Sequence, residues 1–244
     1  MTDDLELSIV IPAYNEAVRI SLTLSRTLEY LARHHPSSEV LVVDDGSTDD
    51  TTRIVSEIAR ANPGPPEVKL LVQPANRGKG AAVRRGVLES RGARVLYMDA
   101  DLSTPIEEVD KLLVYVREGA DVVIGSRGMP DSDLRVRQPA PRELMGRTFN
   151  LIVRSLLLGG FRDTQCGFKM FTREAAQQLF PKQTLDGFSF DVELLLLAKE
   201  AGLRVREIPV VWAHSPHSKV SPVTDASRMF ADLVALRLRR LLGK

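Results

Sequence analysis

Asp99 and Asp101 stand one residue apart in the run Met98-Asp-Ala-Asp-Leu-Ser103. Two carboxylates so spaced, set just beyond a buried apolar run, offer hard oxygen donors. Mg2+ typically uses one or two carboxylates together with substrate phosphates, and Mn2+ accepts the same oxygen-rich set. Two other acidic groups also follow apolar runs, Pro12-Ala-Tyr-Asn-Glu16 and Asp44-Asp45-Gly46-Ser47. Helix capping is the alternative for Glu16, Asp44 and Asp45, because acids favour helix N-termini. Three such groups at successive strand ends point instead to one shared crevice. Asn76-Arg-Gly-Lys-Gly80 has the composition of a phosphate cradle but lacks the upstream glycine and the Ser/Thr of a P-loop. It reads as a tight turn into a helix, with Lys79 as a nucleotide contact. His34, His35, His214 and His217 are scattered and Cys166 is the only cysteine, so no zinc spacing exists.

Elements that would position these groups alternate along the chain. Strands are expected at Leu7–Ile11, Val40–Val43, Val68–Val72, Val95–Met98 and Val122–Ile124. Helices are expected between them, at Glu16–Arg33, Asp49–Ala61, Gly80–Ser90 and from Pro105 to Glu118. Near-continuous apolar strands alternating with helices predict an α/β fold with a parallel sheet covered on both faces. In such sheets ligands bind beyond the carboxyl ends of the strands, where the acidic groups fall. The second half is less regular. Helices are expected at Arg142–Leu158, Arg173–Phe180, Asp191–Ala201 and Asp225–Leu242, with a strand at Arg204–Val211.

The chain has 244 residues, 43% of them apolar and 27% charged, with a formal charge of +1. This is ordinary globular usage, and near-neutrality argues against a nucleic-acid partner. A lone cysteine excludes an internal disulfide and suits a reducing compartment. The acidic start has no apolar core of a signal peptide. The most apolar stretch, Phe149–Phe161, contains Arg154 and is too short to span a bilayer. Within the helix expected there, Met145, Phe149, Ile152 and Leu156 recur at helical spacing and read as a core face. Charge is unevenly spread: the first fifty residues hold ten acids and three bases, whereas the C-terminal helix holds Arg228, Arg237, Arg239, Arg240 and Lys244 against Asp225 and Asp232. Basic amphipathic helices can lie on anionic membrane surfaces. Arg237 and Arg240 fall inside its broad apolar arc of Met229, Phe230, Leu233, Val234, Leu236 and Leu241, which snorkelling would accommodate.

SIVIPAYNE, VVDDGSTDDT, NRGKGAAVRRG, MDADLS and IGSR, in that order, resemble the family 2 glycosyltransferases of the GT-A fold. RDTQCGFKMFTREAA, FSFDVELL, EIPVVW and HSK resemble their dolichyl- or polyprenyl-phosphate glucosyltransferase branch, to which the polyprenyl-phosphate mannosyltransferases are related. The resemblance spans about residues 7–240. It implies a Rossmann-like, mostly parallel sheet flanked by helices, with residues 1–224 as the catalytic domain and 225–244 as a basic amphipathic helix of the same domain. It implies a nucleoside-diphosphate sugar donor, UDP-glucose first and GDP-mannose second. The acceptor would be a polyprenyl or dolichyl phosphate, met by a cytoplasmic protein peripheral to a membrane and without a transmembrane segment of its own.

The resemblance also assigns residues. Pro12, Tyr14 and Glu16 would border the nucleoside, with Asp44 and Asp45 near base and ribose. Asp99 and Asp101 would hold the metal on the diphosphate, Ala100 between them would border the donor, and His217, Ser218 and Lys219 would lie on a loop closing over it. Ser103 stands where mannosyl relatives often carry glutamine. Arg127 and Arg142 match the family's acceptor cations, with Arg147 and Arg137 as weaker candidates, since an arginine fork suits phosphate. Asp191 sits where hydroxyl-acceptor relatives carry a base, with Phe190 in place of the preceding Glu; Asp163 is a second catalytic candidate. For these two the structural alternatives are a helix N-cap and a turn. A soluble transferase with a hydroxyl acceptor, a catalytically silent binding subunit and a sugar nucleotidyltransferase are the competing readings.

Overall fold

The computed structural model describes residues 5–136, 146, 148–153, 157–215 and 224–241. Strands β1 (Leu7–Ala13), β2 (Ser38–Asp44), β3 (Glu67–Val72), β4 (Arg94–Met98) and β5 (Val122–Ser126) alternate with helices α1 (Ile20–His34), α2 (Thr51–Ala61), α3 (Lys79–Glu89) and α4 (Val109–Arg117). β6 (Asp133–Val136) and β7 (Phe168–Thr172) follow, then α5 (Arg173–Leu179), α6 (Phe190–Glu200), β8 (Val205–Pro209), β9 (Val211–Ala213) and α7 (Thr224–Leu241). A further helical stretch occupies 148–153. The main sheet has the order β3-β2-β1-β4-β7-β5-β8. Its pairs are parallel except where β7 runs antiparallel between β4 and β5.

Three expectations are corrected. β7 was not expected. The single strand at Arg204–Val211 is two strands: β8 pairs with β5 through Pro209, and β9 leaves the sheet to pair with β6. The helix expected from Glu16 begins at Ile20, because Glu16 turns its backbone carbonyl to the amides of Arg19 and Ile20.

Two apolar layers enclose the sheet. Ile20, Leu24 and Leu31 of α1, Val55 of α2 and Leu112 of α4 cover one face. Val83 of α3, Ala175 of α5, Leu195 of α6 and Leu233 of α7 cover the other. α6 is buried on nearly all sides, as its run of leucines requires.

Glu39, fully buried near the amino end of β2, clamps the opposite edge from the acidic groups. It accepts hydrogen bonds from Ser8 Oγ (2.8 Å), the Arg91 amide (2.6 Å) and Lys69 Nζ (3.0 Å). Burial pushes its pKa up, but these donors outweigh burial and hold it below the usual value. A depressed carboxylate stabilises the fold above its unfolded pKa, and that contribution is lost as pH falls through the folded value. Glu39→Gln is expected to cost about 2–4 kcal/mol near neutral pH and much less at about pH 3, as read by urea unfolding at both.

Candidate active site

The order β2-β1-β4 places the ends of three expected strands side by side. The loops after β1 and β2 are stitched together: Asn15 Oδ1 accepts from the Thr48 amide (2.8 Å), and Ser47 Oγ accepts from the Asn15 amide (2.9 Å). Asn15 holds φ 53°, a left-handed conformation that asparagine tolerates better than most residues. Pro12 and Tyr14 are half-buried at this edge.

Glu16, Asp44 and Asp45 are buried and cap no helix through their side chains; α2 has Asp50 at its N-cap. Glu16 takes both Arg19 Nε (2.7 Å) and Nη2 (2.6 Å). Asp44 accepts from the Ser47 amide and the Thr52 hydroxyl. Asp45 accepts from the amides of Arg77 and Gly78, each at 2.8 Å, and from Gln73 Nε2 at 2.6 Å. These donors lower the Asp45 pKa, but burial, aided by Asp44, prevails and raises it. As placed, Asp44 and Asp45 brace the loops that would frame a nucleoside, with their oxygens turned inward. Gly78 follows at φ 109°, where any Cβ would overlap the Asp186 carbonyl, so Asp45 fixes a turn that only glycine fits.

That turn launches α3 with Lys79 as its first residue. Lys79 Nζ lies 2.5 Å from Asp99 Oδ1. Burial works against the ammonium, but Asp99 and then Asp191 outweigh it and raise its pKa. Asp101 Oδ1 accepts from the Ser103 amide (2.9 Å), and Arg19 Nη1 stands 3.9 Å from Oδ2. Between them, buried Ala100 gives its carbonyl to Thr23 Oγ1 (2.7 Å). Leu102, at φ 53°, is a strained position for a branched residue and re-aims the chain directly after Asp101. Asp99 and Asp101 stay partly open, with side chains 37% and 21% exposed. No group of three or more His, Cys, Asp or Glu converges on a cation among the described residues. The donor set is therefore two carboxylates facing outward, which fits an ion that keeps water and substrate oxygens.

β7 completes this edge. The Asp99 amide donates to the Gly167 carbonyl (3.1 Å), and a Cβ at Gly167 would overlap the Asp99 carboxylate. Gly167→Ala is expected to displace that carboxylate while leaving the core intact, so activity falls about a hundredfold, or roughly 3 kcal/mol of barrier, while the urea midpoint barely moves. Steady-state kinetics beside unfolding curves separate the two.

Arg127, at the end of β5, donates through Nε (2.6 Å) and Nη2 (2.9 Å) to buried Asp163, which also takes the Arg127 amide. Its guanidinium carbon lies 5.5 Å over the Trp212 ring. Nη1 has no partner among the described residues. Burial opposes charge on both partners, but Arg127 holds Asp163 far below the carboxylate range and Asp163 raises Arg127. Glu207 in turn anchors Asp163, accepting from the amides of Arg162 and Asp163. The turn expected at Asp163 is thus part of an ion pair that fixes an arginine fork.

Asp191 is not the N-cap of α6, a place taken by Ser189. It is buried, and its Oδ1 accepts from Lys169 Nζ (2.6 Å) and from the Tyr97 hydroxyl. Lys169, also buried, donates to the Cys166 carbonyl as well (2.6 Å). The Asp191 charge also helps to raise the Lys79 pKa. Burial pushes the Cys166 thiol up to about 12. Sequence reasoning missed Arg19, Tyr97, Gly167, Lys169, Glu207 and Trp212. A lysine inside an unrecognised strand carries no local sign of burial. Gly167 and Lys169 lie in RDTQCGFKMFTREAA, and Glu207 and Trp212 in EIPVVW, and those family-like runs are the available signal. Arg137, Arg142, Arg147, His217, Ser218 and Lys219, with Met145, Arg154 and Leu156, lie outside the described residues. Ser215, two residues before His217, receives Arg19 Nη1 at 2.9 Å.

The sequence pattern of Glycosyl transferase family 2 matches residues 8–180. The dolichyl-phosphate beta-glucosyltransferase of Dictyostelium discoideum is 36% identical over 99% of this chain and 76% of its own. That of Homo sapiens is 35% identical over 98% and 76%. Among solved structures, glucosyl-3-phosphoglycerate synthase from Mycobacterium tuberculosis, crystallised with Mn2+, UDP-glucose and phosphoglyceric acid, superposes with a TM-score of 0.72. It is 21% identical and covers 95% of this chain and 79% of that one. Mannosyl-3-phosphoglycerate synthase from Rubrobacter xylanophilus gives 0.71 at 23% identity, covering 98% and 76%. Both share the GT-A architecture of a mostly parallel sheet between helices.

Proposed function

The chain belongs to glycosyl transferase family 2 and is a glycosyltransferase, and on that premise we propose that it transfers glucose from UDP-glucose to a polyprenyl or dolichyl phosphate, with inversion. Similarity to dolichyl-phosphate beta-glucosyltransferases over nearly the whole chain supports the sugar and the acceptor. The geometric observation that carries the reading is the Arg127 fork. Asp163 and Trp212 hold it, and among the described residues Nη1 has no partner, which leaves it open to a ligand.

A phosphate acceptor is already largely ionised near neutral pH, its second pKa being about 6. It therefore needs cations more than a base. Arg127 would orient it, joined by Arg142. An acceptor oxygen attacks the anomeric carbon, the bond to the diphosphate oxygen breaks, and the electron pair leaves on UDP. One displacement inverts the centre and gives a β-linked product. Asp99 and Asp101 would hold Mg2+ or Mn2+, which when bound supplies charge neutralisation for the departing diphosphate. Lys79 stands beside Asp99 to bear on the same phosphates. Asp191 has its Oδ1 taken by Tyr97 and Lys169, and serves as a positioning residue under Lys79. This disfavours a hydroxyl acceptor, which would need that carboxylate as a base.

The test is an incubation of the protein with Mg2+ or Mn2+, a polyprenyl phosphate and either UDP-glucose or GDP-mannose. Lipid-linked glucose from UDP-glucose is expected. Lipid-linked product from GDP-mannose alone would reassign the donor, and water-soluble product alone would overturn the acceptor.

A further inference from the structure

The broad apolar arc of the C-terminal helix resolves into two separate stripes. Met229, Leu233 and Leu236 of α7 are buried, with Leu233 and Leu236 in the layer that also holds Leu195. Phe230, Val234 and Leu238 are 50%, 37% and 53% exposed. At about 100° per residue, these three follow one another at i, i+4 and i+8 along an outward line about 12 Å long, turned well away from the buried stripe. Arg237 falls between the two stripes, beside the Phe230 edge. Arg228 and Arg239 are exposed on the far flank, with Arg239 also donating to Thr184 Oγ1 (2.9 Å). Asp232, the one acid of this helix whose side chain is described, is half-buried on the side toward the protein body.

An apolar line flanked on both sides by arginines, with its acid turned away, is the pattern that lies at a bilayer surface. The apolar residues enter the acyl boundary and the guanidiniums reach the headgroups. No helix among the described residues is long and apolar enough to cross a membrane. We propose that α7 docks the protein on an anionic lipid surface through Phe230, Val234 and Leu238, with Arg228 and Arg237 contacting lipid phosphates. A second copy of the chain would meet the same arginines across a symmetric contact, so charge favours the bilayer over a dimer.

The inference rests on the lipid-phosphate reading, and its test keeps the two apart. The full chain is floated with phosphatidylcholine vesicles with and without phosphatidylglycerol. Binding is expected only with the anionic lipid, weakening with salt. Phe230→Ser with Leu238→Ser, and separately Arg237→Glu, are expected to reduce binding at least tenfold, with turnover of a short, water-soluble polyprenyl phosphate unchanged. Phe230→Trp is expected to add a blue-shifted emission on anionic vesicles over the Trp212 background, a gain that misfolding cannot mimic. Wild-type protein that stays unbound, variants that bind equally, or a dimer in light scattering that Phe230→Ser dissolves would each overturn the inference. Loss of short-chain turnover in the wild type would instead count against the proposed reaction, whatever the vesicles show.

Discussion

Asp101→Asn is expected to lower kcat/KM for UDP-glucose by about a thousandfold, equivalent to about 4 kcal/mol of barrier. The substitution is nearly silent structurally. The amide oxygen can still accept from the Ser103 backbone, so the left-handed turn at Leu102 survives. What disappears is one of two outward carboxylates, and a hard cation held by two loses its charge complement when one becomes an amide. Arg19, 3.9 Å away, also loses a counter-ion, but Glu16 still holds it through two hydrogen bonds. Asp99→Asn is a less clean probe, since it strips Lys79 of its 2.5 Å partner. The measurement is donor kinetics across a Mn2+ titration with Mn2+ binding followed by electron paramagnetic resonance. Unchanged turnover in Asp101→Asn would remove the aspartates from the proposed reaction.

Arg127→Ala is expected to be the most damaging single change, because it couples two losses. Asp163 is buried and would keep a carboxylate with its main counter-charge gone, at a cost of about 3–5 kcal/mol. The acceptor would lose its fixed cation at the same time. Arg127→Lys separates these effects. It returns a charge to Asp163 and recovers much of the stability, but a lysine ammonium engaged by Asp163 has no further nitrogen to offer the acceptor where Arg127 has Nη1. KM for the polyprenyl phosphate is then expected to rise at least tenfold (about 1.4 kcal/mol), with KM for UDP-glucose little changed. Asp163 also sets a pH sign. Held far below the carboxylate range, it contributes in full above its unfolded pKa, and that contribution is lost as pH falls from there through the folded value. Acid-unfolding midpoints that coincide in wild type and Arg127→Ala would contradict the pair's role.

The donor half of the molecule was readable because its strands are buried on both faces. Val40–Val43 and Val95–Met98 are continuous apolar runs, and each ends at an acid. The second half hid its logic. Phe168–Thr172 interposes Lys169 among apolar residues, and the reason for that lysine is Asp191, twenty-two positions away. Arg204–Val211 looks uniform in sequence, yet its chain changes sheets around Pro209, where pairing with β5 stops. Asp99, Asp101 and Arg127 could be singled out by type and spacing. Lys79 and Asp163 could be too, but their pairing with Asp99 and Arg127, and the approach of Gly167 to Asp99, are set by tertiary packing that local patterns do not record. The two stripes of α7 read as one arc for the same reason: a wheel shows polarity but not which apolar side faces the core.

The antiparallel strand β7 has a consequence for the order in which the molecule can assemble. β1 to β4 come from one continuous stretch and are connected as successive crossover units that need nothing beyond residue 98 to pair. β4 then presents a bare edge, and β5 has no neighbour in the sheet until β7 and β8 arrive. A nascent chain released before residue 168 would thus carry Asp99 and Asp101 at the end of an open, pairing-competent border strand, the kind that invites association with other chains. Closure of that border and delivery of Gly167 against Asp99 are one event, so a half-synthesised copy is both exposed and chemically incomplete.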